Sequence, residues 1–240
     1  MSKIVNKDSV TFLKTFEDNS IDLILTDPPY IISKKSGFMN KGKKGVDRFR
    51  IDIDFGTWDN TNIEEHNLML LNTFKIGYKK LKKGGTLIVW YDLWKLESLR
   101  NIIEEANKGF KMFRFIELLK TNPVPINSKR TYLSNAREIA LVTVKGGKPT
   151  FNSKYNNGVF SYPIHRDGGK RLHPTQKSLK LMEELITIHS NERDLVVDPF
   201  SGSGTTVLAA ENLKRRGMGC ELDSKMCEIA NKRIKNLLQN

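Results

Sequence analysis

The chain is poor in the residues that staple a small protein together or load it with metal. Its 240 residues include two cysteines and four histidines. Cys220 and Cys227 lack C-x-x-C spacing and have no histidine cluster beside them, so neither a disulfide framework nor a zinc site is expected, and no metal is assigned. Cys220 lies in an apolar, strand-like stretch and reads as a small core residue. No apolar run is long enough to span a bilayer, and Met1 to Val10 lacks the cationic-then-apolar pattern of a signal peptide. The chain therefore reads as a cytoplasmic protein with no membrane partner. No internal repeat is visible.

What is abundant is positive charge. Forty Lys and Arg face 27 Asp and Glu, a net charge of +13. Such a field attracts a polyanion and makes binding salt-dependent. A lysine-rich proteome gives the same excess, so charge alone leaves the two readings even. Hydrophobic residues make up 38% of the chain, and its length suits one α/β domain with an insertion.

Strands alternate with helices. Asp8 to Phe16 reads as a short helix and Ile21 to Leu25 as a strand running into Thr26-Asp27-Pro28-Pro29-Tyr30, where the prolines end it. Residues 31–60, rich in Lys and Gly, read as a long functional loop. Leu71, Phe74, Tyr78 and Leu81 mark one face of a helix that Gly84-Gly85 stops. Thr86–Tyr91 is a buried strand, Leu93–Asn107 a helix capped by Gly109, and Met112–Leu119 and Glu138–Val144 are strands. Residues 146–172 read as irregular. Gln176–Ile188 is a helix, Leu195–Val197 a strand, and Thr205–Arg215 a helix stopped by Gly217. Met218–Leu222 is a strand, and Ser224 caps a last helix to Leu238. This alternation predicts an α/β fold with a mostly parallel sheet and helices on both faces. Active residues then belong at the carboxyl ends of strands. Two unusual sequences sit there, at Asp27 and at Asp198.

Asp198-Pro-Phe-Ser-Gly-Ser-Gly-Thr-Thr206 joins a strand to a helix. Gly202 and Gly204 allow a tight turn and close approach of a ligand, and the helix N-terminus offers N–H groups to a carboxylate or phosphate. No Lys follows Gly204, so a P-loop is disfavoured, and the glycine spacing fits a dinucleotide fingerprint poorly. The next strand ends at Glu221, with Asp223 just beyond, and an acid there accepts hydrogen bonds from ribose hydroxyls. A nucleoside carrying a carboxylate rather than phosphates fits, and S-adenosyl-L-methionine is such a molecule. The bland alternative is an ordinary glycine-rich turn with a chance acid downstream.

Pro28 and Pro29 have fixed φ and donate no N–H, so their carbonyls are rigidly aimed acceptors. Asp27, ionised, only accepts. An amino group with two N–H donors fits between the Asp27 carboxylate and the Pro28 carbonyl, and Tyr30 gives a flat face for stacking a base. Holding both N–H groups directs the amine lone pair at an electrophilic methyl, so the work is orientation and electrostatics.

Taken together, these motifs resemble the amino-methyltransferases of DNA in their circularly permuted beta group, in which the catalytic motif precedes the target-recognition region and the cofactor motif comes last. TDPPY stands at 26–30, HPTQKS at 173–178 resembles the HPTQKP signature, and DPFSGSGTT stands at 198–206. The likeness runs from Asp8 to the last helix. It implies a Rossmann-like S-adenosylmethionine-dependent methyltransferase fold, parallel except for one reversed strand. It implies catalytic roles for Asp27, Pro28, Pro29 and Tyr30. It implies a cofactor pocket of Asp8, Asp27, His173, Thr175, Lys177, Asp198, Phe200, Ser201, Gly202, Gly204, Thr205, Glu221 and Asp223. NPVPIN at 122–127 resembles the NP-x-P element of adenine-modifying members, and Glu138 matches an acid that usually follows it. Ser178 replaces the usual proline, Lys7 a common glycine before Asp8, and Arg137 a common histidine. The chain divides into a catalytic half at 1–120, target-recognition loops at about 121–172 and a cofactor half at 173–240, all in one domain of 240 residues.

The implied reaction is methyl transfer to N6 of an adenine flipped out of double-stranded DNA, at a cost of a few kcal/mol. Phosphate contacts are expected from Lys34, Lys35, Lys41, Lys43, Lys44, Lys129, Arg130, Arg166, Lys170 and Arg171, with Asn122 added to the DNA-facing set. Base readout is expected from 121–137 and 146–172. Three alternatives stay open: an N4-cytosine methyltransferase, which more often carries Ser at the Asp27 position; an RNA substrate; and a non-catalytic nucleic-acid-binding module. A homodimer, a companion restriction endonuclease and a bacterial or phage source are compatible with the sequence, which names none of them.

Overall fold

The inner strands are nearly continuous apolar runs, and because successive side chains point to opposite faces, each strand feeds two cores at once. The computed structural model describes residues 3–29, 63–123, 136–164 and 177–237. Its strands are β1 (Lys3–Asn6), β2 (Ile21–Thr26), β3 (Leu81–Tyr91), β4 (Phe110–Lys120), β5 (Arg137–Lys145), β6 (Val159–Tyr162), β7 (Leu195–Asp198) and β8 (Arg216–Glu221). They form one sheet in the order β1-β8-β7-β2-β3-β5-β4-β6. β5 is antiparallel to both β3 and β4, and among the described residues every other pairing is parallel, so β5 alone is reversed there.

Helices α1 (Ser9–Leu13), α2 (Ile63–Lys80) and α3 (Leu96–Ala106) cover one face, and α4 (Leu179–His189), α5 (Thr205–Asn212) and α6 (Ser224–Leu237) the other. On the first face Ile24, Leu87, Val89 and Leu141 meet Phe12, Leu70, Phe74 and Leu99. On the second Leu23, Leu25, Ile88 and Trp90 meet Leu181, Leu185 and Ile186. α3 buries Leu99, Ile102, Ile103 and Ala106, a stripe of helical spacing. α5 is buried at every position from Thr205 to Ala210, because α4 and α6 flank it. Among the described residues, no helix is long and apolar enough to cross a membrane.

Several expected boundaries move, each for a local reason. α2 ends at Lys80, and Leu81 opens β3 rather than closing the helix face. Gly84 and Gly85 sit inside β3 at a bulge, where the register with β2 jumps from Ile21↔Leu81 to Leu23↔Thr86. Gly84 has φ +83°, and a Cβ there would stand 2.3 Å from the Lys148 carbonyl oxygen, so the glycine admits a neighbouring backbone instead of stopping a helix. Asn107, not Gly109, ends α3, and a Cβ on Gly109 would collide with the Tyr78 hydroxyl. Leu93–Lys95 forms a separate 3-10 turn capped by Asp92. α5 stops at Asn212, Lys214 turns with φ 59°, and Gly217 lies within β8. Asp223, not Ser224, caps α6, its Oδ1 accepting the Met226 N–H at 2.9 Å. The stretch expected to be irregular contains β6, a short edge strand on β4.

Candidate active site

Because β1, β2, β7 and β8 are parallel and adjacent, their carboxyl ends share one edge of the sheet. That edge carries Asp8 after β1, Asp27 after β2, Asp198 at the end of β7 and Glu221 at the end of β8. Reversal of β5 puts its first residues, Arg137 and Glu138, at the same edge, opposite Leu119 and Leu118 at the end of β4. A crevice at such an edge is where ligands of open α/β sheets bind.

The glycine loop is held from below. Asp198 is buried; its Oδ1 accepts from the Thr26 hydroxyl at 2.6 Å and from the Phe200 N–H at 3.1 Å. The Ser201 hydroxyl donates to the Asp198 carbonyl at 2.9 Å, and the Ser201 N–H to the Cys220 carbonyl at 2.9 Å. Phe200 packs against the first core. Gly204 begins α5 with φ +79°. The Thr205 hydroxyl accepts from the buried Arg233 at 2.9 Å, which ties the loop to α6. Above the loop there is room: nothing lies within 4 Å of where a Cβ on Gly202 would stand. Across that opening the Glu221 carboxylate accepts the Gly202 N–H at 2.9 Å and the Asp223 N–H at 3.0 Å. An open glycine backbone facing a carboxylate fits a nucleoside whose ribose donates hydrogen bonds.

Around Asp27 the charges alternate. The Lys177 Nζ donates to Asp27 Oδ2 at 2.6 Å and lies 3.0 Å from Glu138 Oε2. The Lys120 Nζ lies 2.5 Å from Glu138 Oε1. Lys177 is buried, with its ammonium 5.4 Å from the centre of the Trp90 ring. Burial works against the Glu138 charge, but the ammonium groups of Lys177 and Lys120 outweigh it and hold the carboxyl down to about 2. On the other side the His66 Nε2 lies 2.6 Å from the Pro29 carbonyl oxygen. A carbonyl oxygen only accepts, so this bond requires the proton on Nε2. His66 is buried and stacks on Tyr91, which fixes its ring.

The structure thus gathers Asp27, Pro28, Pro29, Lys177, Asp198, the 200–205 loop and Glu221 at one edge. Asp8 stands at the same edge as the N-cap of α1, its Oδ1 taking the Thr11 N–H at 2.8 Å. Asp223, expected beside the cofactor, follows Glu221 at the same edge and caps α6 through its Oδ1, as Asp8 caps α1. Asn122, expected toward DNA, accepts the Ile164 N–H at 2.6 Å and braces the end of β4 against the chain after β6. Tyr30, Lys34, Lys35, Lys41, Lys43, Lys44, Lys129, Arg130, Arg166, Lys170, Arg171, His173 and Thr175 lie outside the described residues. His66, Trp90, Lys120 and the pairing of Glu138 with Lys177 were missed by motif reading. The one signal was Glu138 itself, an acid opening a strand at the reversed edge.

Asp198 gives a test by pH. Burial pushes its carboxyl up to about 6; the Asp27 charge adds to the rise, while the Thr26 hydroxyl and Phe200 N–H oppose it. The folded state therefore holds the proton more tightly than the unfolded chain does. Stability from this group falls as pH rises from about 4 to about 6 and is level above, by up to roughly 3 kcal/mol. Asp198→Asn keeps an acceptor for Thr26 and Phe200 without the charge. Its unfolding midpoint is expected to exceed that of the unsubstituted protein at about pH 8 and to converge with it below about pH 4. Thermal unfolding across that range checks this; a difference that does not vary with pH would exclude it.

The strand order, the single reversed strand and the loops at the carboxyl edge define a Rossmann-like fold of the methyltransferase class. The chain belongs to the DNA methylase family of the N6/N4 type, which it matches over residues 21–232. It is 31% identical over 249 residues to the type II methyltransferase M2.DpnII of Streptococcus pneumoniae, covering 96% of this chain and 88% of that protein. It is 30% identical over 252 residues to M2.LlaDCHI of Lactococcus lactis subsp. cremoris, with 96% and 88% covered. The solved M1.HpyAVI–SAM complex superposes with a TM-score of 0.69 at 28% identity, covering 98% of this chain and 100% of the other. The cytosine-N4-specific PvuII DNA methyltransferase shares the fold, with a TM-score of 0.71 at 19% identity over 99% and 93% of the chains.

Proposed function

We propose that this DNA methyltransferase moves a methyl group from S-adenosyl-L-methionine to N6 of an adenine flipped out of double-stranded DNA at a specific sequence. One observation carries the reading: the Asp27-Pro28-Pro29 turn stands at the end of β2 beside the glycine loop at the end of β7, two strands that are directly paired. Asp27 and the Pro28 carbonyl accept the two N–H groups of the amine, and Tyr30 stacks on the base. The cofactor, when bound, supplies an electrophilic methyl. Asp8, Asp198, Phe200, Ser201, Gly202, Gly204, Thr205, Glu221 and Asp223 hold it, with His173, Thr175 and Lys177 toward its amino-acid end. The solved complex of M1.HpyAVI with SAM supports this choice of cofactor.

The lysines and arginines of the 34–44, 129–130 and 166–171 stretches take phosphates. The chain works as one domain, with 1–120 catalytic, about 121–172 reading the target and 173–240 binding cofactor; β5 within that middle part belongs to the central sheet. The cytoplasm is its place of action. A cognate restriction endonuclease and a homodimer are part of the same proposal.

Incubation with methyl-labelled S-adenosylmethionine and unmethylated DNA, followed by digestion to nucleosides, tests it. Label is expected in N6-methyladenine. Label in N4-methylcytosine would keep the amine chemistry and overturn the base, and absence of label from every DNA would overturn the reaction.

A further inference from the structure

We propose that Glu138 is a positioning residue for methyl transfer: it divides the Lys177 ammonium with Asp27 and thereby keeps the Asp27 carboxylate aimed at the amine. The inference rests on the reading of Asp27 given above. Four charged groups from four places in the chain form one row. Asp27 follows β2, Lys177 precedes α4, Glu138 opens β5 and Lys120 ends β4. The signs alternate along it, so the row is neutral as a whole.

The need for Glu138 follows from the burial of Lys177, which is 7% exposed. A buried ammonium with one carboxylate draws that carboxylate fully onto itself, because the attraction is strong where water is excluded. Asp27 would then spend its acceptors on Lys177 instead of on a base. A second carboxylate 3.0 Å from the ammonium competes with Asp27 Oδ2 for its charge. Lys120, 2.5 Å from the far oxygen of Glu138, anchors that carboxylate in turn. The Trp90 ring under Lys177 completes the seat.

The same row matters as charge moves. The N–CH3 bond would form as the S–CH3 bond of the sulfonium donor breaks, the donor leaving as neutral S-adenosylhomocysteine; positive charge would pass to the amine, beside Asp27, until the amine sheds a proton to solvent. An uncompensated Lys177 would oppose that build-up, and Glu138 cancels it. An electrostatic effect of this kind appears in kcat rather than in substrate binding.

Glu138→Gln keeps the size and removes the charge. It is expected to lower kcat by about 100-fold while the KM for DNA and the affinity for S-adenosylmethionine stay within about twofold. Because Glu138 acts through Lys177, adding Glu138→Gln to Lys177→Met should slow the enzyme no further than Lys177→Met alone. Should the Gln variant unfold, Glu138→Asp serves, since it keeps the charge but withdraws it from Lys177, and the same kcat loss is expected at an unchanged unfolding midpoint. A Glu138→Gln kcat within about twofold of the unsubstituted enzyme, or multiplying effects in the double variant, would overturn the proposal. Asp27→Ala run alongside separates the failures. If it methylates normally, the reading of Asp27 is wrong; if it is inactive while Glu138→Gln is not, only the role of Glu138 is.

Discussion

Asp27→Ala should leave a folded protein that binds S-adenosylmethionine and transfers its methyl about 1000-fold more slowly or worse. The fold should survive because Asp27 lies beyond the last residue of β2 and its side chain is 21% exposed, so its removal opens no core cavity. Nor is Lys177 stranded, since Glu138 stands 3.0 Å from it. Cofactor affinity should hold because the glycine loop is braced through Asp198, Thr26 and Cys220 rather than through Asp27. What is lost is the acceptor that orients the amine, which matters only as the new bond forms. Asp27→Asn refines the test. Its amide keeps one acceptor oxygen, and Lys177 competes for it, so an intermediate loss of about 10- to 100-fold is expected. Single-turnover transfer of labelled methyl, paired with equilibrium dialysis of the cofactor, separates chemistry from binding. A tenfold loss of cofactor affinity in Asp27→Ala, with transfer otherwise intact, would remove Asp27 from the chemistry.

How much of this was legible in the sequence depends on how local each feature is. The glycine loop at Asp198 and the prolines after Asp27 are written in consecutive residues, and the alternation of strands and helices places both at strand ends. The reversed strand was implied by resemblance, and the structure has it as β5. The contact of Lys177 with Asp27 joins residues 150 apart, and that of His66 with Pro29 joins residues 37 apart, so no local pattern announces either. β1 and β6 have four residues each, too few to show a period of two. Gly84 looks like a helix stop until the Lys148 carbonyl is seen beside it. Asp223 and Ser224 are both capping types, and the choice is made where the Cys227 N–H reaches the Asp223 carbonyl. Local chemistry is thus readable along the chain, while the partners that hold it in place are set by the sheet order.

Two glycines two residues apart should fail in opposite ways, although the cofactor motif treats them alike. Gly204 has φ +79°, and a Cβ there would stand 2.7 Å from Ile4 Cδ1, 3.3 Å from Ala230 Cβ and 3.4 Å from Ile234 Cδ1. Gly204→Ala therefore carries about 1–2 kcal/mol of left-handed strain together with about 1–3 kcal/mol of overpacking between β1 and α6. A loss of about 2–5 kcal/mol is large against the roughly 5–15 kcal/mol that holds a domain folded, and the unfolding midpoint is expected to drop by about 5–15 °C. Gly202 has φ +48° and open space where its Cβ would be. Gly202→Ala carries the backbone strain alone, about 1–2 kcal/mol, and its new methyl group points into the opening opposite Glu221. Its midpoint should fall by only a few degrees, while its affinity for S-adenosylmethionine should fall by about tenfold or more, since a methyl group then competes for the ligand's volume. Thermal unfolding and cofactor titration of the two variants, side by side, give a crossed pattern if the opening above Gly202 is where the cofactor lies. Equal cofactor losses in both, each following the drop in midpoint, would mean that the loop answers only to packing and that the ligand binds elsewhere.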